Sequence, residues 1–289
     1  MVNTYQQIFE SLFFECFGND VEILDFSVAA AGVVNTGAKV VTAKGTYFVK
    51  LNEWETQNFF KSEADDLEIL RPFLPVPAVL GYGKTQGYNY LVSPFIEETL
   101  ASKTSFALAG QQLAGLHQIR NQKFGHHYPN YLASVTLNNQ WKVDGIDFLI
   151  QNRILPMVGY CLMEEKISID LYKRIENLCS RLGKIIPNED PSLLHGDLWS
   201  GNLMTAQGSK PIFIDPACCY GFRESEIAFT YLFGGFDAVF YEAYLEIFPL
   251  EPGFGERVSI YHIHPLLVHV YLFGSGYIMG LERILKRFS

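Results

Sequence analysis

The sequence has few cysteines, and their arrangement does not suggest a metal or disulfide framework. Five occur among its 289 residues, namely Cys16, Cys161, Cys179, Cys218 and Cys219. The number is odd and no Cys-x-x-Cys pair is present, which argues against paired disulfides and against a structural zinc site. We therefore predict that the protein works in a reducing environment and is cytoplasmic.

Positive charge is also scarce. The chain carries 22 Lys and Arg against 31 Asp and Glu, a net charge of −9. This excludes a broad electrostatic surface for nucleic acid or anionic lipid, so any bound nucleotide needs locally supplied cations. The N-terminal MVNTYQQIFE also lacks the basic and apolar regions of a secretion signal. We expect neither nucleic acid nor membrane as a partner.

A long stretch without charge, 258–281, could be mistaken for a membrane span. It contains three histidines and Pro265, and polar groups are costly in lipid. The stretch therefore predicts buried C-terminal helices with a break at Pro265.

Hydrophobic periodicity divides the chain into two parts. It predicts helices at 3–17, 54–71, 105–120, 146–158 and 168–186, and strands at 22–30, 38–43, 46–51, 78–82, 88–93 and 211–215. Strands are concentrated before residue 94 and helices after it. The predicted fold class is α+β. We expect a sheet-rich N-terminal nucleotide-binding lobe at 1–93, a hinge at 94–99 and a larger helical catalytic and substrate-binding lobe at 100–289.

The most informative segment is LLHGDLWSGNLMTAQGSKPIFID at 193–215. Asn202 follows Asp197 by five positions, and Asp215 ends a strand-like run thirteen positions later. Phosphoryl transfer needs a carboxylate near the attacking hydroxyl and oxygen ligands for magnesium. We assign Asp197 as the catalytic base and Asn202 and Asp215 as metal ligands. The alternative is that these residues only cap turns.

The N-terminal half should then supply the nucleotide site. Lys50 ends an apolar strand, and Glu63 lies thirteen residues later in a predicted helix, where it could hold Lys50 toward phosphates. The loop at 30–37 lies between two strands. Its backbone, with Gly32, Asn35 and Thr36, is placed to cradle phosphate oxygens. No Walker A motif, G-x-x-x-x-G-K-[ST], is present.

Several motifs, in order along nearly the whole chain, resemble those of one family. They are HGDLWSGN at 195–202, IDPACCYGFRESEIAF at 214–229, LFGGF at 232–236 and LLVHVYLFGSGY at 266–277, with NTGAKV, YFVKLN and VPAVLGYG before them. Together they resemble the fructosamine kinase (ketosamine 3-kinase) family. This is a branch of the protein-kinase-like superfamily related to aminoglycoside phosphotransferases and choline kinases.

The resemblance implies a two-lobed protein-kinase-like fold that uses ATP and Mg²⁺. It implies phosphorylation of the 3-hydroxyl of a fructosamine or ribulosamine adduct, followed by deglycation. It supports the roles of Asp197, Asn202, Asp215, Lys50 and Glu63 given above. The hinge residues that it places against adenine are Ser93, Phe95 and Ile96.

On the substrate side, the resemblance points to Trp199, Arg223, His269 and Tyr277. Trp199 lies two residues after the base, where its indole could stack on a sugar or a cationic amine. Glu226 resembles an acidic residue that braces the catalytic loop in related kinases. Arg223 could join that bracing network or line the mouth of the substrate site. The sequence departs from the family at Pro265, which could shift the start of the following helix.

Alternative functions stay open at this point. One is a kinase for another amino-sugar, aminoglycoside or amino alcohol, and another is a non-catalytic nucleotide-binding protein. Trp199 and the C-terminal motif favour a ketosamine, small or protein-bound, and the complete set of polar residues favours catalysis. A protein kinase is disfavoured because no long activation segment follows Asp215. We expect a monomer or a weak homodimer.

Overall fold

The computed structural model describes residues 2–31, 35–53 and 59–288. Gly32 and the first part of the helix predicted at 54–71 lie outside the described residues. In the first part of the chain, the elements are α1 (Val2–Phe17), β1 (Ile23–Ala31), β2 (Asn35–Thr42), β3 (Gly45–Asn52), α2 (Phe59–Leu70), β4 (Gly81–Thr85) and β5 (Tyr88–Pro94). The strands form one antiparallel sheet in the order β1-β2-β3-β5-β4.

The period of two in β3 separates its core side chains from its functional one. Val49 and Leu51 are buried in a core with Phe9 and Phe13 of α1. Lys50, between them, points to the opposite face of the sheet, where it meets Glu63 of α2. The packing of α1 against one face of the sheet therefore sets the direction of Lys50 on the other.

The remainder of the chain is mostly helical. Its helices are α3 (Lys103–His117), α4 (Gly145–Leu149), α5 (Leu155–Met163), α6 (Ile169–Cys179), α7 (Arg223–Leu232), α8 (Ala238–Ile247), α9 (Phe254–Tyr261), α10 (Ile263–Phe273) and α11 (Ile278–Arg287). A π-helical turn, Ile150–Ile154, joins α4 to α5, and 3₁₀ turns lie at Leu182–Lys184, Ser200–Asn202 and Ser275–Tyr277. These helices enclose two apolar cores, one around α5, α6 and α10 and one around α3 and α8.

Three short antiparallel pairs lie among these helices. They are formed by β6 (Asn130–Leu132) with β7 (Val135–Leu137), β8 (Ser192–Leu194) with β11 (Cys219–Gly221), and β9 (Leu203–Ala206) with β10 (Lys210–Phe213). The last two pairs place the 195–202 loop and the segment from Asp215 onward next to each other. The backbone N–H of Ile214 donates to the Asn202 carbonyl at 3.0 Å and ties the two together.

Several boundaries differ from those predicted. Helix 168–186 stops at Cys179 and continues only as a 3₁₀ turn, and the strand predicted at 78–82 lies at 81–85. The break predicted at Pro265 lies three residues earlier, at His262 between α9 and α10. Pro265 is the third residue of α10, where no backbone N–H is needed for an intrahelical bond. Among the described residues, no helix is both long and apolar enough to cross a bilayer.

Candidate active site

The loop His195-Gly196-Asp197 follows β8 and is held from two sides. Gly196 has φ of +87°, and a β-carbon there would lie 1.8 Å from the carbonyl oxygen of Ala217, so only glycine fits. On the other side, the Glu226 carboxylate accepts the backbone N–H groups of His195 at 3.0 Å and Gly196 at 2.6 Å. The backbone that carries Asp197 is therefore fixed before any ligand binds.

Glu226 is itself fixed by a buried chain of hydrogen bonds. His117 Nε2 lies 2.9 Å from Glu226 Oε2, and His117 Nδ1 lies 2.8 Å from the Tyr244 hydroxyl. Burial alone would raise the pKa of Glu226, but His117 and the Gly196 N–H lower it below its usual range. Glu226 thus stays ionised and braces the loop, as the sequence interpretation held.

Asp197 and Asn202 form a close pair. The Asn202 Nδ2 group donates to the Asp197 backbone oxygen at 2.8 Å and to its Oδ2 at 3.0 Å. Burial, together with the nearby charge of Asp215, raises the pKa of Asp197 well above its ordinary value. Asp197 is therefore a better proton acceptor than an exposed aspartate. The bonded Nδ2 leaves the Oδ1 atom of Asn202 facing away from Asp197.

Lys50 connects the two halves of the site. Its Nζ lies 2.6 Å from Glu63 Oε1 and 2.5 Å from Asp215 Oδ1. Burial lowers the pKa of Lys50, but Asp215 and Glu63 outweigh that effect and raise it above the ordinary value. The ammonium group is thus permanently charged. It supplies the local positive charge that an anionic nucleotide requires.

Two cavities meet at these side chains. The smaller, of about 290 Å³, lies between the sheet and the β9–β10 hairpin. Its walls are mostly apolar, and besides Lys50, Glu63 and Asp215 it is lined by Phe48, Leu67, Pro77, Leu91, Ser93, Pro94, Phe95, Ile96, Glu98, Met204 and Ile214. The Phe95 N–H donates to the Thr46 carbonyl at 3.0 Å. The Ile96 N–H has no acceptor among the described residues.

The larger cavity, of about 490 Å³, lies on the other side of Lys50 and includes Asp197 and Asn202. Many of its lining residues are aromatic, namely Phe59, Tyr131, Trp199, Phe229, Phe233, His269, Phe273 and Tyr277.

Two of these residues, Trp199 and His269, are predicted from the sequence to face the substrate. Trp199 is 40% exposed, which excludes a core role, and its indole lies where a β-carbon on Gly201 would be. His269 Nδ1 lies 2.7 Å from the Pro265 carbonyl, so it carries the proton and Nε2 is an acceptor.

The structure brings together most of the predicted site residues. Asn35 lines the larger cavity, as do Trp199, His269 and Tyr277, while Ser93, Phe95 and Ile96 line the smaller one. Thr36 lines neither, because neighbouring residues of a strand point to opposite faces. Arg223 does not line either of the two cavities. Its guanidinium instead binds Glu189 at 2.7 Å and the backbone carbonyls of residues 248 and 249. The prediction that Arg223 contacts substrate is therefore corrected.

Sequence reasoning missed most of the aromatic wall. Phe233 lies within the LFGGF motif, and Phe273 follows His269 by four residues on the same helical face, so both carried a readable signal. Phe59 and Tyr131 carried none, since each reaches the cavity from a distant part of the chain.

A magnesium ion fits the residues present. Asn202 Oδ1 and the second carboxylate oxygen of Asp215 are hard donors not used by Lys50 or Asp197. In the described part of the chain, no group of three or more His, Cys, Asp or Glu side chains could hold a metal by itself. Magnesium commonly takes only one or two protein ligands and completes its shell with phosphates and water.

Comparisons with known proteins agree with this geometry. The family model described as fructosamine kinase matches residues 5–289. A relative from Vibrio parahaemolyticus, named "Probable ketoamine kinase", is 37% identical over 284 residues, covering 94% of this chain and 93% of its own. The crystal structure of a "Putative fructosamine-3-kinase" from Haemophilus somnus has a TM-score of 0.88 at 30% identity, covering 97% of this chain and 96% of its own.

A more distant structure shares the fold. The ternary complex of a thermostable mutant of aminoglycoside phosphotransferase APH(4)-Ia with AMP-PNP and hygromycin B has a TM-score of 0.63 at 16% identity, covering 96% of this chain and 95% of its own. The predicted two-lobed, protein-kinase-like α+β fold is confirmed. With a family model that spans nearly the whole sequence, the chain belongs to the fructosamine kinase family.

Proposed function

We propose that the protein transfers the γ-phosphoryl group of ATP to the 3-hydroxyl of a ketosamine, with Mg²⁺ as the metal. Its family membership makes it an ATP-dependent ketosamine kinase. The position of the hydroxyl, the metal and the roles of single residues belong to the proposal. The observation that carries it is the junction of the two cavities at Lys50, Glu63 and Asp215, beside Asp197.

The smaller cavity is proposed to hold adenine. Its mostly apolar walls suit a purine ring, and the Ile96 N–H is available as a donor to a ring nitrogen. Phosphates would then extend toward the Lys50 ammonium. Asn202 Oδ1 and Asp215 would hold magnesium, which neutralises the charge of the phosphates when bound.

Asp197 is proposed to accept the proton of the attacking hydroxyl. The sugar oxygen forms a bond to the γ-phosphorus, the bond to the β-phosphate oxygen breaks, and ADP leaves. The raised pKa of Asp197 suits proton acceptance. The hydrogen bond from Asn202 fixes one carboxylate oxygen, which leaves the other, Oδ1, for the hydroxyl.

The larger cavity suits the amine-bearing part of the acceptor. Among its described lining residues, Lys50 is the one cation, whereas Glu63, Asp197 and Asp215 are acidic. A secondary ammonium group therefore meets an electrostatically favourable site, and aromatic faces add cation–π attraction. His269 Nε2 offers an acceptor for a sugar hydroxyl or the ammonium, and burial lowers the pKa of His269 so that the ring stays neutral.

The proposal extends to the setting of the enzyme. All five cysteines are free thiols, which fits a cytoplasmic location. Three half-exposed aromatic residues of the larger cavity, Trp199, Phe233 and Phe273, lie toward solvent. A ketosamine on a protein lysine could therefore enter as well as a small one.

The test is a magnesium-dependent ATP-consumption assay on ribulosyl-lysine, fructosyl-lysine and an aminoglycoside. An Asp197→Asn variant is the control, and phosphorus NMR locates the transferred group. Phosphate on the 3-hydroxyl of a ketosamine is the expected result. Exclusive turnover of a non-glycated amine would overturn the ketosamine assignment, and nucleotide binding with no turnover of any acceptor would favour a non-catalytic protein.

A further inference from the structure

A second buried carboxylate lies one helical turn after Glu63. Asp66 of α2 is fully buried. Its Oδ1 accepts the Tyr128 hydroxyl at 2.9 Å, and its Oδ2 accepts the Cys218 N–H at 3.0 Å and the Asn130 Nδ2 group at 3.2 Å. The three donors come from outside α2, so Asp66 is a point where distant segments meet.

Each of these segments belongs to the candidate site. Cys218 lies three residues after Asp215 in the segment that carries the proposed metal ligand. Asn130 begins β6, and both Asn130 and its neighbour Tyr131 line the larger cavity. Asn130 also donates to the Cys218 carbonyl at 2.8 Å, which closes the cluster. Asp66 therefore joins the helix of Glu63 to the metal segment and to the wall of the acceptor cavity.

The hydrogen bonds of this cluster require the charge and the acceptor oxygens of Asp66, and not only a side chain of its size. His126 Nε2 lies 3.6 Å from Asp66 Oδ1, beyond hydrogen-bonding distance, and burial lowers the pKa of His126 to about 4. Within the described part of the chain, no charged partner at ion-pair distance therefore offsets the burial of Asp66, which is costly. The three donors offset part of that cost, and an ionised carboxylate is the acceptor-only group that can satisfy all of them.

We propose that Asp66 is a positioning residue for phosphoryl transfer, which holds α2, with Glu63 and Lys50, at a fixed distance from the segment of Asp215. The inference rests on the proposed function. Disturbing Asp66 should loosen the geometry in which Lys50 and Asp215 meet the nucleotide. The effect should appear in magnesium and nucleotide binding, and not only in the amount of folded protein.

The test compares four variants at pH 8, where Asp66 is ionised. Asp66→Asn keeps the shape but turns an N–H₂ group toward a donor. Asp65→Asn is the matched control, since Asp65 is its neighbour and forms an ion pair with Lys61 at the surface. Leu70→Ala weakens the core contact of the same helix without touching the cluster or either cavity. Each is measured by Tm, by calorimetric titration with magnesium and ADP, and by activity per folded enzyme against magnesium concentration.

Asp66→Asn should weaken Mg·ADP binding and raise the half-saturating magnesium concentration by about tenfold or more, as for partners that orient a metal ligand. Asp65→Asn and Leu70→Ala should keep the wild-type Mg·ADP affinity and half-saturating magnesium concentration. Of the measured quantities, Leu70→Ala should lower only Tm. Tyr128→Phe, which removes one donor, should shift both values less and in the same direction. It also supplies the test if Asp66→Asn does not fold.

Unchanged magnesium and ADP binding in Asp66→Asn would overturn the inference, as would an equal shift in Leu70→Ala. This outcome is distinct from failure of the proposed function. If the wild type turned over no ketosamine, the proposed function would fail, while the calorimetric comparison would still decide the role of Asp66.

Discussion

The Lys50 ammonium lies 2.5 Å from the Asp215 carboxylate, although 165 residues separate them in the chain. Lys50 is fixed by β3, and Asp215, with φ of +56°, is fixed by the turn after β10. The contact therefore depends on how the sheet and the β9–β10 hairpin pack together. Any nucleotide that enters meets a lysine and an aspartate already facing each other.

Glu63→Gln should raise KM for ATP and lower kcat, because Glu63 is the second carboxylate that directs Lys50. A hydrogen bond to a charged group contributes about 1.5–3 kcal/mol, so kcat/KM for ATP should fall by about ten- to a hundredfold. Steady-state kinetics with ATP varied will measure it. Glu68→Gln is the control, since Glu68 lies on the same helix and pairs with Arg71 at the surface. Equal kinetics for the two variants would contradict the role of Glu63.

Asp197→Asn should lower kcat by about 10²–10⁴, the usual effect of removing a positioned base. The amide keeps the size of the side chain but cannot take a proton from the acceptor hydroxyl. Single-turnover assays at saturating ATP and ketosamine will separate chemistry from binding, and Mg·ADP affinity should stay close to that of the wild type. Asp190→Asn, at an exposed position, should leave kcat unchanged. A kcat for Asp197→Asn within a few-fold of wild type would mean that another group takes the proton.

Asn202→Ala and Asp215→Ala should each raise the magnesium concentration needed for half-maximal activity. Each change removes one of the two oxygen donors assigned to magnesium. Activity measured against magnesium at fixed ATP will show the shift, with the exposed Asp20→Ala as control. Full activity of either variant at low magnesium would show that the metal ligands are assigned wrongly.

Gly196→Ala should unfold the catalytic loop or the protein. Its β-carbon would overlap the Ala217 carbonyl, in addition to the cost of a left-handed backbone. Gly208→Ala is a matched control, because Gly208 has φ of +76° and open space around it, so only the backbone cost of about 1–2 kcal/mol applies. Urea unfolding will compare the two. A similar loss in both variants would mean that the loop yields to the extra carbon.

The stability contribution of Asp66 should depend on pH. Burial raises its pKa to about 7, against about 3.9 in an unfolded chain. Between those values the folded state binds a proton that the unfolded state releases, so the free energy of unfolding falls as pH rises, by up to about 1.4 kcal/mol per unit. The loss is complete above pH 7. Because the amide of the Asp66→Asn variant does not titrate, the difference between wild type and variant isolates this contribution.

Urea unfolding of both proteins at pH 5, 6, 7 and 8 will measure that difference. The free energy of unfolding of the wild type, relative to that of the variant, should fall from pH 5 to pH 7 and then stay constant. Glu63 and His126 also face Asp66, but they are present in both proteins, so their titration largely cancels. A constant difference would mean that Asp66 titrates in its ordinary range.

The polar part of the site could be predicted because its spacing is local. Asp197, Asn202 and Asp215 lie within nineteen residues, counted from 197 to 215, and their chemistry suggests magnesium and a base. The pairing of Lys50 with Glu63 follows from one strand and the next helix. The alternation of β3 then explains why Lys50, and not its neighbours, faces the cleft.

The rest depends on tertiary packing that local patterns do not report. Phe59 and Tyr131 reach the larger cavity from separate elements whose pairing no motif records. Arg223 lies within the motif at 214–229, but its guanidinium binds Glu189 and backbone carbonyls in the interior of the helical part. Pro265 correctly indicated a break between two helices, but the sequence does not show that the break lies at His262 and that Pro265 falls in the first turn of α10, where proline is tolerated.

The two cavities share three lining residues, Lys50, Glu63 and Asp215. A single compound can therefore reach both if a linker passes this point, with a purine-like ring on one side and a cationic amine among the aromatic rings on the other. Linking the two groups makes the second contact intramolecular, with an effective concentration in the millimolar range for a short linker. Such a bisubstrate compound would compete with both ATP and the acceptor, and it would exploit an aromatic chamber in addition to the nucleotide pocket.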